Sequence, residues 1–265
     1  MLEHVNCSIY ENPLKSTFIV SVIISIGIVL SYVPQHIKIV QTKSSTGLSP
    51  VFLLLSSLSG IAATSNLILL SFISIPCCLE ITKFECINSQ ISLIQVGLQT
   101  FSTLLVVFLC VIFTRNPLDY EEYLEVIKVW KQILWFTGFI IISLIISFIY
   151  GIKSSNFILK YAQILGIFST IVAIIQYLPQ LKTTIHLKKA GSLSIPMMCI
   201  QTPGGFIWTA TLILKPGSNW SSWFPYLTGA VLQGTLLVLC TYYEYIAEKD
   251  EVLLVQEDQY YTFEE

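Results

Sequence analysis

Two four-residue strings, Tyr32-Val33-Pro34-Gln35 and Tyr177-Leu178-Pro179-Gln180, lie near the ends of two long apolar segments and are the places where this chain is equipped for chemistry. A proline inside a helix removes the hydrogen bond to the carbonyl four residues back and clashes with it, at about 3 kcal/mol in a soluble helix. The carbonyls set free belong to Leu30 and Ile175. In hydrocarbon such groups are tolerated only where protein or a wet cavity satisfies them, and the glutamine amide beside each break is one partner. Broken helices at matching places in two halves of a chain point to a transport site. The chemistry on offer is hydrogen bonding to a small polar or zwitterionic solute. The candidate binding and gating residues are Pro34, Gln35, Pro179, Gln180, Gln201 and Pro203, with Asn66, Gln99 and Gln233 as further polar groups inside spans. Pro203-Gly204-Gly205 puts three poor helix formers in mid-span, which reads as a gate or as a close helix contact. No segment gathers a nucleophile, a base and an orienting acid, and no metal-ligand spacing occurs, so neither an enzyme, a metal site nor a cofactor is expected.

The elements that hold these residues follow from composition. The chain has 265 residues, of which 54% are hydrophobic and 11% charged, with a mean hydropathy of +0.73. This excludes an ordinary soluble domain and indicates a polytopic, all-α membrane protein. Apolar stretches at 18–39, 49–75, 91–113, 130–150, 158–185, 195–214 and 224–246 each approach the roughly 20 residues that a bilayer core requires. They predict seven transmembrane helices, with the termini on opposite sides. The first stretch is too long for a secretory signal and lacks a small-residue cleavage site behind it, so it reads as a retained span. Tyr120, Tyr123, Leu124, Ile127 and Leu134 recur at helical spacing and predict an amphipathic lead-in to the fourth span, capped near Asn116. The acidic residues after Ala247 predict a solvated tail.

Charge placement orients the chain. Lys38, Lys43, Arg115, Lys128, Lys131, Lys182, Lys188, Lys189 and Lys249 fall on one side, and Lys15, Lys83, Lys153, Lys160 and Lys215 on the other. The richer side is expected in the cytosol, which places the N-terminus in a lumen or outside and the C-terminus in the cytosol. The Asn-x-Ser strings at Asn6 and Asn219 fall on the lumenal side and are candidate glycosylation sites. So do Cys7, Cys77, Cys78 and Cys86, read as packing cysteines or as one disulfide.

A shift of 145 positions (179 minus 34) aligns the two halves without a gap. It pairs Tyr32 with Tyr177, Pro34-Gln35 with Pro179-Gln180, Lys43 with Lys188, Leu48-Ser49 with Leu193-Ser194, Gly60 with Gly205 and Thr64 with Thr209. Leu98-Gln99 answers Leu232-Gln233 after a different loop length. Each unit is then three helices, and a single intervening span gives the second unit the same orientation as the first. The expected plan is a lumenal N-terminus at 1–17, a first three-helix repeat at 18–114, a cytosolic amphipathic linker at 115–129 and a linker helix at 130–150. A second repeat at 157–246 and a cytosolic tail at 247–265 complete it.

The doubled Tyr-x-Pro-Gln, followed by Lys43-Ser44-Ser45-Thr46-Gly47-Leu48-Ser49 and by Lys188-Lys189-Ala190-Gly191-Ser192-Leu193-Ser194, resembles the PQ-loop repeat family. That family includes the cystinosin-like and vacuolar cationic amino-acid exporters and is akin to the SWEET sugar facilitators. The tracts Gln201-Thr202-Pro203-Gly204-Gly205 and 214–220 look like those of uncharacterised fungal members. The resemblance implies two parallel three-helix bundles joined by a linker helix, with the prolines as hinges for alternating access. It also implies vacuolar, lysosomal or other endomembrane residence. Several relatives couple export to protons through an acidic residue in the second helix of a repeat. Here Ser56 or Ser57 and Gln201 or Thr202 hold the corresponding places, and no apolar stretch contains Asp or Glu before Glu244. A neutral amide takes no proton near pH 7, so uncoupled movement is the expectation. His36 and His186 read as interfacial histidines.

The partners this reading implies are the lipid bilayer and a small-molecule solute. A homo-oligomer and a sorting adaptor at the C-terminal tail, reading Tyr243-Glu244-Tyr245-Ile246 or Tyr260-Tyr261-Thr262-Phe263, are further candidates, and nothing points to nucleic acid. The competing class is a non-transporting cargo receptor or membrane assembly factor built on the same seven helices.

Overall fold

The computed structural model describes residues 6–43, 49–113, 120–151, 155–188 and 195–247. They form seven helices: α1 (Lys15–Thr42), α2 (Pro50–Ser74), α3 (Lys83–Phe113), α4 (Tyr120–Gly151), α5 (Ser155–Leu187), α6 (Ile195–Leu214) and α7 (Trp220–Thr241). No strand occurs among the described residues. Six of the helices are long and apolar enough to cross a bilayer, and Met198–Leu214 of α6 is a shorter apolar stretch. At 1.5 Å per residue the whole of α6 still spans about 30 Å. The chain is an integral, multi-pass membrane protein.

Local sequence explains the ends. Ser49 caps α2 by accepting from the Phe52 N–H at 3.4 Å, and Pro50 takes the first helical position, where its missing donor is harmless. Asn219 caps α7 through the Ser221 N–H. Lys43 and Lys188, paired by the 145-residue shift, both turn the chain out of a helix with left-handed backbone, at φ 51° and 47°. A long side chain seldom adopts that region, so its recurrence at matched positions supports the duplication in structure.

Three expectations change. The two Pro-Gln helices are not interrupted: α1 runs through Pro34 and α5 through Pro179. Proline removes one hydrogen bond, and the ladder before and after it is long enough to carry the helix across the gap. α3 begins at Lys83 rather than 91, because Glu85, Asn88, Ser89 and Gln90 lower the hydropathy of two turns that are nevertheless helical. The lead-in and the fourth span form the single helix α4; the cap near Asn116 lies outside the described residues, as does the tail after Ala247.

Two helices, α3 and α7, act as packing hubs. α3 packs on both α1 and α2, and α7 packs on both α5 and α6. Gly60 on α2 lies so close to α3 that a Cβ there would sit 2.8 Å from Thr100 Oγ1, and Gly205 on α6 is the matched close approach to Ala230 of α7. Between the repeats, α2 lies against α5 along an extensive seam, and α4 fills the groove that they share with α3. The main core, including Leu69, Val107, Ile133, Ile158 and Ala162, occupies that junction.

Polar clamps reinforce the α2–α5 seam. The Ser59 and Ser169 hydroxyls lie 2.8 Å apart, and each reaches the other's carbonyl at 3.1 Å. Gln176 Nε2 donates to Ser56 Oγ at 2.9 Å. Such bonds average about 0.6 kcal/mol each in membranes, so their main effect is to fix register.

The N-terminal end carries a stapled cap. Two disulfides, Cys7–Cys77 and Cys78–Cys86, use all four cysteines there, one more bridge than expected. Such bridges form and persist chiefly in oxidising compartments. Glu85 accepts from the Asn12 N–H at 2.8 Å and from the Thr82 N–H and hydroxyl. Those bonds hold its carboxyl below the usual carboxylate range. Tyr10 reaches across to Gly217 in the α6–α7 loop, where positive φ and the tyrosine ring leave no room for a Cβ.

Candidate functional site

The Pro-Gln turn of α1 is latched onto α3. The Tyr32 hydroxyl lies 2.9 Å from Thr103 Oγ1, which itself donates to the Gln99 carbonyl at 3.0 Å. Thr103 therefore acts as acceptor for Tyr32, and the Gln99 side chain adds a second contact. One turn on, His36 Nε2 lies 3.1 Å from the Ser102 carbonyl; a carbonyl only accepts, so Nε2 carries the proton. The tyrosine of the motif thus positions the helix, leaving Pro34 exposed and Gln35 half-buried beside it.

In the second repeat Pro179 is exposed and Gln180 half-buried, as at their counterparts. Gln233 Nε2 of α7 donates to Gln201 Oε1 of α6 at 2.9 Å. Gln201, Pro203 and Gly204 are exposed, as is Cys199 one half-turn earlier on α6. The structure thus brings Gln201 and Gln233 into direct contact and gathers Tyr32, Gln99 and Thr103.

Asn66 is elsewhere. It is 1% exposed, and its Nδ2 donates to the Ala162 carbonyl of α5 at 2.6 Å and to Ser221 Oγ of α7 at 2.9 Å. Both amide protons are used to tie α2 to the second repeat. Asn6 is exposed, and its Oδ1 accepts from the N–H and hydroxyl of Ser8. Asn219 makes the same pair of bonds to Ser221, which is buried.

Toward the disulfide-bearing end the two repeats meet in a plug. Ala63, Leu67, Val96, Trp208 and Leu212 form a buried cluster against which Ile24 and Ile28 of α1 and Tyr226 of α7 pack. The Trp208 and Tyr226 rings lie 4.7 Å apart. The internal repeat makes α1 and α6 the counterpart of α5 and α2, yet α1 and α6 touch far less than that pair does. Past the plug, toward the Pro-Gln end, Val33, Pro34 and Ile37 of α1 and Ile200, Gln201 and Pro203 of α6 are exposed.

Sequence reasoning missed Tyr226, the Ser59–Ser169 clamp and the polar groups at the disulfide-bearing end of α1 and α3. A helical tyrosine and short hydroxyls carry no signal of their own, whereas Asn88 was detectable as a carboxamide two turns inside a helix that hydropathy trimmed.

Comparison with known proteins agrees with this architecture. The PQ loop repeat matches residues 17–75 and 161–221, that is α1–α2 and α5–α6 with the turn into α7. An uncharacterized protein of Schizosaccharomyces pombe is 37% identical over 250 residues, covering 86% of this chain and 81% of its own length. No solved structure matches the chain. With the repeat matched twice and a relative 37% identical along most of the chain, the chain belongs to the PQ-loop repeat family.

Proposed function

We propose that this protein moves a small polar solute, amino acid-like or sugar-like, across an endomembrane by alternating access. Proteins of this family are in general membrane transporters. The observation that carries the proposal is the unequal pair of seams between repeats. α2 and α5 are clamped together, while their counterparts α6 and α1 meet at the Trp208–Ile24–Ile28 plug and leave the Pro-Gln end exposed. In this reading the two repeats are parallel three-helix bundles, each organised by its third helix, and α4 is the linker. The clamped seam is the fulcrum, and the α1–α6 seam opens and closes at either end.

The disulfides, the lysine distribution and Asn6 support a lumenal N-terminus and a cytosolic C-terminus, and in this reading the exposed Pro-Gln end faces the cytosol. Gln35, Gln180, Gln201 and Gln233 supply hydrogen bonds to the solute, and Pro34, Pro179 and Pro203 supply compliance where the helices must bend. Gln99 acts through Tyr32, and Asn66 holds the fulcrum. The site has no carboxylate, so movement needs no proton gradient.

Cys199 provides the test. It is exposed on α6 near Gln201, while the other free cysteines, Cys110 and Cys240, are buried. A membrane-impermeant maleimide applied from the cytosolic face is expected to modify Cys199 at rest, and a transported solute to slow the reaction. Modification by N-ethylmaleimide but never by the impermeant reagent would show that this end of the seam faces lipid, and would exclude the cavity.

A further inference from the structure

Residues 6–14 form a strap across the disulfide-bearing end that touches both repeats. Asn6 Oδ1 caps a single 3-10 turn at Cys7–Tyr10, and the Glu11 N–H closes that turn on the Ser8 carbonyl. The first repeat holds the strap at Cys77, Ser74 and Glu85. Cys7 is bonded to Cys77 in the connection between α2 and α3. The Tyr10 hydroxyl bonds to Ser74 at the end of α2, whose Oγ also accepts from Gln90 of α3 at 3.1 Å. The Asn12 N–H donates to Glu85. The second repeat receives the strap at Gly217. A Cβ there would lie 2.6 Å from Tyr10 Cε1 and 3.0 Å from its hydroxyl oxygen, so the ring lies directly on the glycine backbone. The receiving turn is itself braced, with the Ser218 N–H on the Lys215 carbonyl and the Ser218 hydroxyl on the Leu212 carbonyl.

These contacts act in series. Tyr10 ends the short turn that Cys7 begins, so the disulfide fixes where the ring stands, and the ring fixes how far the α6–α7 turn can move from the strap. The strap runs directly into α1 at Lys15. Without the bridge and the ring contact it would regain the backbone and side-chain freedom that ordering has removed. Beneath it, the plug of Trp208, Leu212, Ile24 and Ile28 closes the α1–α6 seam by apolar packing, which is non-directional. The strap adds contacts of fixed geometry at the same end.

We infer that the strap is a latch that holds the disulfide-bearing end of the α1–α6 seam shut, with Cys7–Cys77 as its tether and the Tyr10 ring on Gly217 as its catch. Opening this end requires the ring to leave Gly217 while the tether keeps it on the first repeat. Under the alternating-access reading, the latch biases the protein toward the conformation described here, and its release is a step on the way to the opposite one. The latch contact itself does not rest on transport and is tested without solute, so its failure would leave the transport reading standing.

The test is amide hydrogen exchange of the full-length protein in detergent, followed at residues 215–222, with residues 123–131 of α4 as the internal reference. Tyr10→Ala is expected to speed exchange at 215–222 by about tenfold, the effect of losing one hydrogen bond and one ring contact, and to leave the reference unchanged. Tyr10→Phe keeps the ring on Gly217 and is expected to change it by about threefold at most. Cys7→Ser combined with Cys77→Ser leaves Cys78–Cys86 in place. That pair is expected to speed exchange by a smaller factor than Tyr10→Ala, because Ser74 and Glu85 still hold the strap. Adding it to Tyr10→Ala is expected to add nothing, since tether and catch act in series. The inference is overturned if Tyr10→Ala leaves 215–222 unchanged, or if it speeds the α4 reference equally, which would mark a general loss of fold. It is also overturned if the effects of ring and bridge add in full, which would mean that they act apart.

Discussion

Gly166→Ala isolates the contact that sets the fulcrum. A methyl group on Gly166 of α5 would strike the Ser221 carbonyl oxygen, and would sit 2.7 Å from Ser221 Cβ and 3.0 Å from its carbonyl carbon. The first turn of α7 must then retreat by most of an ångström. It is not free to do so, since Ser221 Oγ lies 2.9 Å from both Asn66 Nδ2 and Asn219 Oδ1, and the Ser221 N–H donates to the same capping oxygen. Overpacking costs about 1–3 kcal/mol, and loss of one interhelical hydrogen bond adds about 0.6 kcal/mol. The intrinsic preference of a helix for alanine over glycine returns up to about 1 kcal/mol. The net is about 2 kcal/mol of destabilisation, or about 4–8 °C in the melting midpoint for a chain of this size. A methyl group added at Gly27 or Gly138 would meet nothing within 4 Å, so alanine there is expected to leave the midpoint unchanged or raise it. The assay is fluorescence-detected gel filtration after stepwise heating. If Gly166→Ala melts together with Gly27→Ala, the close α5–α7 approach is refuted.

Other consequences are as direct. Of the seven cysteines, maleimide under denaturing, non-reducing conditions should modify three, Cys110, Cys199 and Cys240, and all seven after reduction; five or seven before reduction would contradict the two bridges. Gln201→Ala and Gln233→Ala should each lower flux by roughly tenfold, about 1.4 kcal/mol, and the double variant little more than either, because they share one hydrogen bond. Additive losses would mean that they act apart. Tyr32→Phe should lower stability by about 1 kcal/mol through the lost Thr103 bond, measured by the same heating assay; an unchanged midpoint would remove its positioning role.

Much of the fold was legible because hydropathy and repetition are one-dimensional. Seven helices, the duplication and the family follow from where leucine, isoleucine and the Tyr-x-Pro-Gln strings fall. The helix ends were less legible: Glu85 to Gln90 look like a loop by polarity, but Glu85 caps and Ser89 bonds back to the Cys86 carbonyl, so polarity there is compatible with helix. Disulfide pairing could not be read, since four cysteines allow three connectivities and only the fold brings Cys7 to Cys77. Nor could the Ser59–Ser169 clamp, whose partners are 110 residues apart. Proline was over-read, because sequence shows the lost hydrogen bond but not the intact ladder around it.

Transport itself is decided by uptake of labelled amino acids and sugars into proteoliposomes, for the wild type, Pro34→Ala and Pro179→Ala, with and without a pH gradient. Restoring the N–H to the Leu30 or Ile175 carbonyl should preserve folding while stiffening the helix. We expect saturable uptake of at least one solute by the wild type without a gradient, and its loss in both variants while gel filtration stays unchanged. Absence of uptake for every solute from well-folded wild-type protein would contradict transport and favour the receptor or assembly-factor class.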